Sequence, residues 1–166
     1  EDIIARITPE GGAEVADLDI ATSGVNEFSL AYCTDYDLHE QTYQYDFTKK
    51  QVQKTPKGPR RIHQLPALDA SGSPALRPKF QGLRFLDSQN VVALLNKPGR
   101  KGAELRVYHL YPTGPAATTL QMTLPSHIKQ AVSLDVCALD ADKKGNRQAV
   151  VAVAGQDISI VMYTVN

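Results

Sequence analysis

The sequence predicts an all-β fold assembled from repeated four-stranded antiparallel sheets. Helical periodicity is nearly absent. The apolar residues fall in short bursts rich in Val, Ile, Leu, Tyr and Phe, separated by Gly, Pro, Asn, Asp and Ser, which is the pattern of strands and turns. The bursts also recur in one fixed order, three times along the chain.

Each unit opens with a short apolar piece: Ile3 to Ile7, Ile62 to Leu65, and Leu120 to Leu124. A first long burst follows, at Val15 to Ala21, Phe80 to Leu86, and Val132 to Leu139. After a polar turn comes a second, at Glu27 to Cys33, Asn90 to Leu95, and Gln148 to Ala154. The third bursts, Leu38 to Tyr45, Ala103 to Leu110 and Asp157 to Val165, close the units.

Val150 to Ala154 is a near-continuous apolar run, as expected of a strand covered on both faces. In the second unit Leu105, Val107 and His109 point one way and Arg106, Tyr108 and Leu110 the other. Gly155-Gln156-Asp157 reads as a tight hairpin turn. Ser126 to Ala131, after Pro125, is the one stretch with helical character, and it is too short to shape the fold.

This order predicts a WD40-like β-propeller fragment of about three four-stranded antiparallel blades, with approximate boundaries 1–61, 62–118 and 119–166 and no separate second domain. The period is roughly 50 to 65 residues, longer than the roughly 40 to 45 of a regular WD repeat. The excess is expected in loops at Lys49 to Arg61 and Ala67 to Lys79. The third bursts end Tyr45-Asp46, Tyr108-His109 and Tyr163-Thr164 where WD repeats carry Trp-Asp, and the chain has no Trp. Propellers close with roughly four to eight blades. Three would leave apolar blade faces open, so the remaining blades are expected on a companion chain or segment, with completion of a ring by two copies as the alternative.

Composition narrows the function classes. Hydrophobic residues at 42 % and charged residues at 22 % exclude disorder. Equal numbers of acids and bases, 18 each, recommend no nucleic acid. No apolar run approaches the roughly 20 residues that span a bilayer, so no membrane insertion is expected of these residues. Cys33 and Cys137 lack metal or redox spacing. They read as two buried thiols in a reducing, cytosolic setting.

No catalytic, cofactor-binding or metal-ligating residue is assigned. Asp35 and Asp37, with His39 and Glu40, have the composition of a metal or acid–base site, but their place between second and third strands reads as a turn. Asp140 to Asn146 resembles a calcium loop, yet Lys144 replaces an acidic ligand, and a hairpin loop is expected. Asp17, Asp19 and Asp135 read as structural acids within first strands. His39, His63, His109 and His127 show no ligand spacing. Lys49 to Arg61 holds six cations and no acid and reads as a solvated loop, with an acidic partner or anionic headgroups as the functional alternative. A second small basic loop surrounds Gly99, at Lys97, Arg100 and Lys101. No phosphate-cradling glycine motif occurs.

Ala16 to Ile20, Phe28 to Tyr36, Arg77 to Phe80 with Leu83 to Leu86, and Val150 to Thr164 resemble a known family, most tellingly in Val153-Ala154-Gly155-Gln156-Asp157-Ile158-Ser159-Ile160. It is the fungal endoplasmic-reticulum guanine-nucleotide exchange factor for the Sar-family GTPase of COPII coat assembly, the prolactin regulatory element-binding protein family. The resemblance implies a seven-bladed propeller on the cytosolic face of the endoplasmic reticulum, followed by one membrane helix. It also implies an exchange loop in the first blade held by a potassium ion. Neither that loop nor the helix lies in these 166 residues, so no exchange residue is carried over. The segment is then a middle or later part of the ring, not itself an enzyme, and a Sar-type small GTPase is engaged only by the complete ring. The alternatives are a WD-repeat scaffold without exchange activity and a sugar-processing propeller, which the absence of Trp disfavours.

Overall fold

A computed structural model describes residues 5–57, 59–67, 71–72, 77–97, 102–125 and 130–165. The fold is all-β: three antiparallel sheets of a β-propeller-like fragment, packed face to face in chain order. Among the described residues no helix is long and apolar enough to cross a membrane.

The first sheet begins with β1 (Asp17–Gly24), β2 (Glu27–Cys33) and β3 (Asp37–Asp46). The β1–β2 link is a two-residue hairpin, Gly24 standing opposite Glu27. Asn26 takes the left-handed conformation there, at φ 57°, which Asn tolerates better than most residues. β4 (Gln51–Lys54) pairs with the far half of β3, at Tyr43 to Asp46, and β5 (Arg60–Gln64) with the near half, at Asp37 to Glu40. Together they occupy the fourth position as one outer strand interrupted at residues 55–59. The segment Lys49 to Arg61, expected as a loop, is therefore loop at residues 55–57 and 59 and edge strand on either side of them. Its alternating polar residues lie on an exposed sheet edge, where cations also discourage further strand pairing.

The second sheet has the order β6 (Lys79–Asp87), β7 (Asn90–Asn96), β8 (Ala103–His109) and β9 (Ala117–Thr123). The third has β10 (Ser133–Leu139), β11 (Arg147–Ala154) and β12 (Ile158–Val165). The three long bursts of every unit thus form consecutive antiparallel strands. The short pieces behave differently. Ile62 to Leu65 falls on the first sheet, through β5 against β3, and Leu120 to Leu124 on the second, through β9 against β8. Sequence unit and sheet are consequently offset by one strand, the sheets ending near residues 64 and 123. Of the opening piece, Ile3 and Ile4 lie outside the described residues, and residues 5–7 are not in a strand.

The second sheet is covered on both faces. Toward the first sheet it presents Leu83, Phe85, Val91, Ala93, Tyr108 and Leu110, which pack on Ala31, Cys33, Leu38 and Ile62. Toward the third it presents Val92, Leu94, Leu105 and Val107, which pack on Leu134, Ala149, Val151 and Val153. Alternation along β8 is as expected, with Leu105 and Val107 in one core and Tyr108 in the other. Every fully buried Leu here contributes roughly 1.5–3 kcal/mol relative to leaving it in water.

The run Val150 to Ala154 does not match the expectation of two covered faces. Val151 and Val153 are buried, whereas Val150, Ala152 and Ala154 lie on the sheet's open face. The strands with both faces covered are those of the second sheet, β7 most completely, because that sheet stands between the other two. Beyond Val150 and Ala152 the open face carries Ile158, Ile160 and Met162, which are 74 %, 71 % and 63 % exposed. On the first sheet, Leu18 and Ile20 stand open on the corresponding end face.

Candidate functional site

The densest network of inter-sheet contacts joins the first strands, β1, β6 and β10, which run beside one another. Asp17 Oδ2 accepts the Leu83 backbone N–H at 3.1 Å and an Arg84 N–H at 2.7 Å. Asp19 Oδ2 accepts the Phe85 N–H at 2.8 Å. β6 borders β7 on one side only, so alternate N–H groups on its free edge have no ladder partner, and the two carboxylates satisfy them. Arg84 Nε reaches Asp135 Oδ1 at 3.6 Å, joining all three strands through one guanidinium. Gly82 permits the close approach at this crossing: a Cβ there would stand 2.7 Å from Leu134 Cδ2 and 3.0 Å from Asp17 Oδ2, so those side chains would have to shift.

The network reveals an equivalence between the end sheets. Ala16 N–H bonds to Cys33 O at 2.8 Å, and Val132 N–H bonds to Ala154 O at 2.8 Å. Superposing these contacts places Asp135 where Asp19 stands, two residues further along the first strand. Asp19 has a neighbouring sheet to bind. Asp135 has a side chain 84 % exposed, on the open face.

A cleft of about 570 Å³ separates the turn ends of the first and second sheets. Glu27, Glu40, Lys57 and Arg60 line it, with Tyr111 and Pro112 opposite. Arg60 Nε bonds Glu40 Oε2 at 2.6 Å, and Lys57 Nζ lies 3.5 Å from Glu27. Arg60 also donates to the carbonyl of Tyr111, stapling β5 to the second sheet. Both acids of this cleft are already paired within the protein, and their charges cancel.

The Asp35 to Glu40 constellation is dispersed by the fold. Thr34 closes the turn, its N–H bonding Asp37 O at 2.9 Å and its hydroxyl accepting the Asp37 N–H at 3.1 Å. Asp35 then pairs with Lys79, Asp37 with Arg61, and Glu40 with Arg60. His39 stacks on Tyr32, with ring centroids 5.1 Å apart. Tyr36 carries the Arg77 guanidinium over its ring. Asp142 closes the β10–β11 hairpin by accepting the Lys144 and Asn146 N–H groups. These bonds to backbone and to Asn146 hold its pKa below the usual value. Among the described residues no group of His, Cys, Asp or Glu is placed to hold a metal ion. His127, Gly99, Arg100 and Lys101 lie outside the described residues.

Sequence reading missed one polar cluster. Glu104 is fully buried, with Lys97 Nζ 2.5 Å away and Arg106 as a second partner. Burial pushes its pKa up, but the hydrogen bonds from Lys97 and Arg106 outweigh burial and leave it below the usual carboxylate value. Tyr108, two residues beyond Arg106, packs its ring against His63 of β5 at 5.4 Å. The signal was present in a Glu-x-Arg pair inside an apolar strand, where two charges on one face must find each other.

The cysteines differ from expectation. Cys33 is buried, and burial with the nearby Asp17 carboxylate pushes its thiol up to about 12. Cys137 is exposed, because its side of β10 is the open face.

No protein-family model and no curated protein matches the chain. Among the described residues the most exposed apolar side chains lie on the two open sheet faces and at the turn ends.

Proposed function

We propose that this chain is the structural wall of a WD-type propeller belonging to a guanine-nucleotide exchange factor. Its substrate protein would be a Sar-type small GTPase in endoplasmic-reticulum-to-Golgi vesicle formation, at the cytosolic face of the endoplasmic reticulum membrane. The mechanism is non-covalent: the complete ring binds the GTPase and stabilises its nucleotide-free form. The exchange loop and its potassium ion belong to a different blade, and these three sheets hold the ring's geometry.

The observation that carries the reading is the graded burial. The middle sheet is covered on both sides, while each end sheet turns an apolar face outward, with Leu18 and Ile20 on one and Ile158, Ile160 and Met162 on the other. Such faces are what a blade presents to the next blade. Asp135 adds a polar counterpart, a carboxylate in the position where Asp19 receives the backbone of its neighbouring sheet. The family itself rests on the sequence resemblance.

Nucleotide release from a Sar-type GTPase tests the proposal. The 166-residue chain alone should leave the release rate unchanged, whereas the chain joined to the remaining blades should accelerate it. Strong stimulation by the isolated chain overturns the assignment. A completed ring that recruits other proteins yet never stimulates release points instead to a WD-repeat scaffold.

A further inference from the structure

Two turns meet at one corner of the first sheet. The β1–β2 turn carries Val25, and the β3–β4 turn carries Phe47, and the Tyr45 N–H bonds to Asn26 O at 2.8 Å between them. Val25 is 88 % exposed and Phe47 67 %. Neither side chain is on a face that a neighbouring sheet would cover, because both stand at turn apices beyond the strand ends.

The corner is held in place. Asp46 Oδ1 accepts the Thr48 and Lys49 N–H groups at 2.9 and 3.0 Å, and Phe47 packs edge-on against Tyr45 at 4.8 Å. An apolar ring is thereby presented to solvent with little conformational freedom left to lose.

Lys49 and Lys50 follow at once, and Lys54 stands on β4. All three are exposed, and none has an acidic partner among the described residues. The other cations of the same segment do: Lys57 with Glu27, Arg60 with Glu40, and Arg61 with Asp37. Of the carboxylates at the corner, Asp46 is turned into its own loop and Glu27 is paired with Lys57.

We propose that this corner docks on an anionic lipid surface. A fixed apolar tip gains by entering the boundary between headgroups and acyl chains, and flanking lysines gain from anionic headgroups outside it. An acidic protein also rewards the lysines, and a single-stranded nucleic acid can stack a base on the ring, but neither offers the apolar depth that Val25 and Phe47 would enter together. The inference is independent of the exchange-factor reading.

The test is co-sedimentation of the chain with phosphatidylcholine vesicles, with and without phosphatidylserine. Binding is expected only with phosphatidylserine and should be released by salt. Lys49→Gln with Lys50→Gln should weaken it about 25-fold, at about fivefold per lysine. Phe47→Ala should weaken it further while thermal unfolding stays unchanged. The chain has no Trp, so Phe47→Trp supplies a unique reporter whose emission should shift to the blue on phosphatidylserine vesicles. Equal sedimentation with both vesicle types would trace binding to the open sheet faces and overturn the proposal. No binding, an unshifted Trp spectrum, or binding to polyglutamate that survives Phe47→Ala would overturn it as well.

Discussion

Asp19→Ala separates a seam held by carboxylates from one held by apolar packing alone. The Asp19 side chain accepts the Phe85 N–H at 2.8 Å, and Phe85 is itself only 8 % exposed, so water poorly replaces the lost acceptor. A hydrogen bond to a charged group contributes about 1.5–3 kcal/mol, which puts the loss near 2 kcal/mol. For a domain of this size each kcal/mol moves the midpoint by about 2–4 °C, giving a fall of about 4–8 °C. Asp135→Ala is the internal control. It removes the equivalent carboxylate from a face with no neighbouring sheet, at a site 84 % exposed, and should stay within about 0.5 kcal/mol. Urea and thermal unfolding of the three proteins, followed by far-UV circular dichroism, give the comparison. If Asp19→Ala is silent, or Asp135→Ala equally costly, the seam argument and the equivalence of the two acids both fail.

Glu104→Ala should cost about 3 kcal/mol in urea unfolding, since it strands Lys97 and Arg106 beside an apolar core; this is the low end for a broken buried pair because Lys97 is partly solvated. In the His63 side chain, burial first and Arg106 second lower the pKa. The folded state then favours the neutral ring, and its contribution is full above the unfolded pKa near 6.5. Stability should fall as pH drops below that value and continue falling to the depressed folded pKa. His63→Phe should flatten that part of the stability–pH profile. A thiol-reactive chromophore at neutral pH should modify Cys137 rapidly in the native chain and Cys33 only after unfolding, because the thiolate is the reactive form.

The sheet architecture was legible because strand formation is a local matter. The bursts at Glu27 to Cys33 and Asn90 to Leu95 need only alternating or continuous apolar residues between turn formers to declare themselves, and they appear as β2 and β7. Turn chemistry was legible for the same reason: Asp140 to Asn146 became the hairpin closed by Asp142. Lys49 to Arg61 was only partly legible because its charges mask two short edge-strand pieces, whose pairing depends on the exposed backbone of β3 and not on their own side chains.

Local pattern determined which residues are strand, where the chain turns, and that three similar units stand in line. It also supplied acids within the first strands. Which sheet each outer strand joins was decided only by tertiary pairing, as was the coverage of β7 on both faces and of β11 on one. The same holds for Asp19, which receives a backbone N–H from the neighbouring sheet, whereas Asp135 bonds the next N–H of its own strand and contacts Arg84 at an exposed site. Coverage depends on what stands beside a sheet in space. A strand's own residues set its preference for a neighbour but carry no record of whether the neighbour is there.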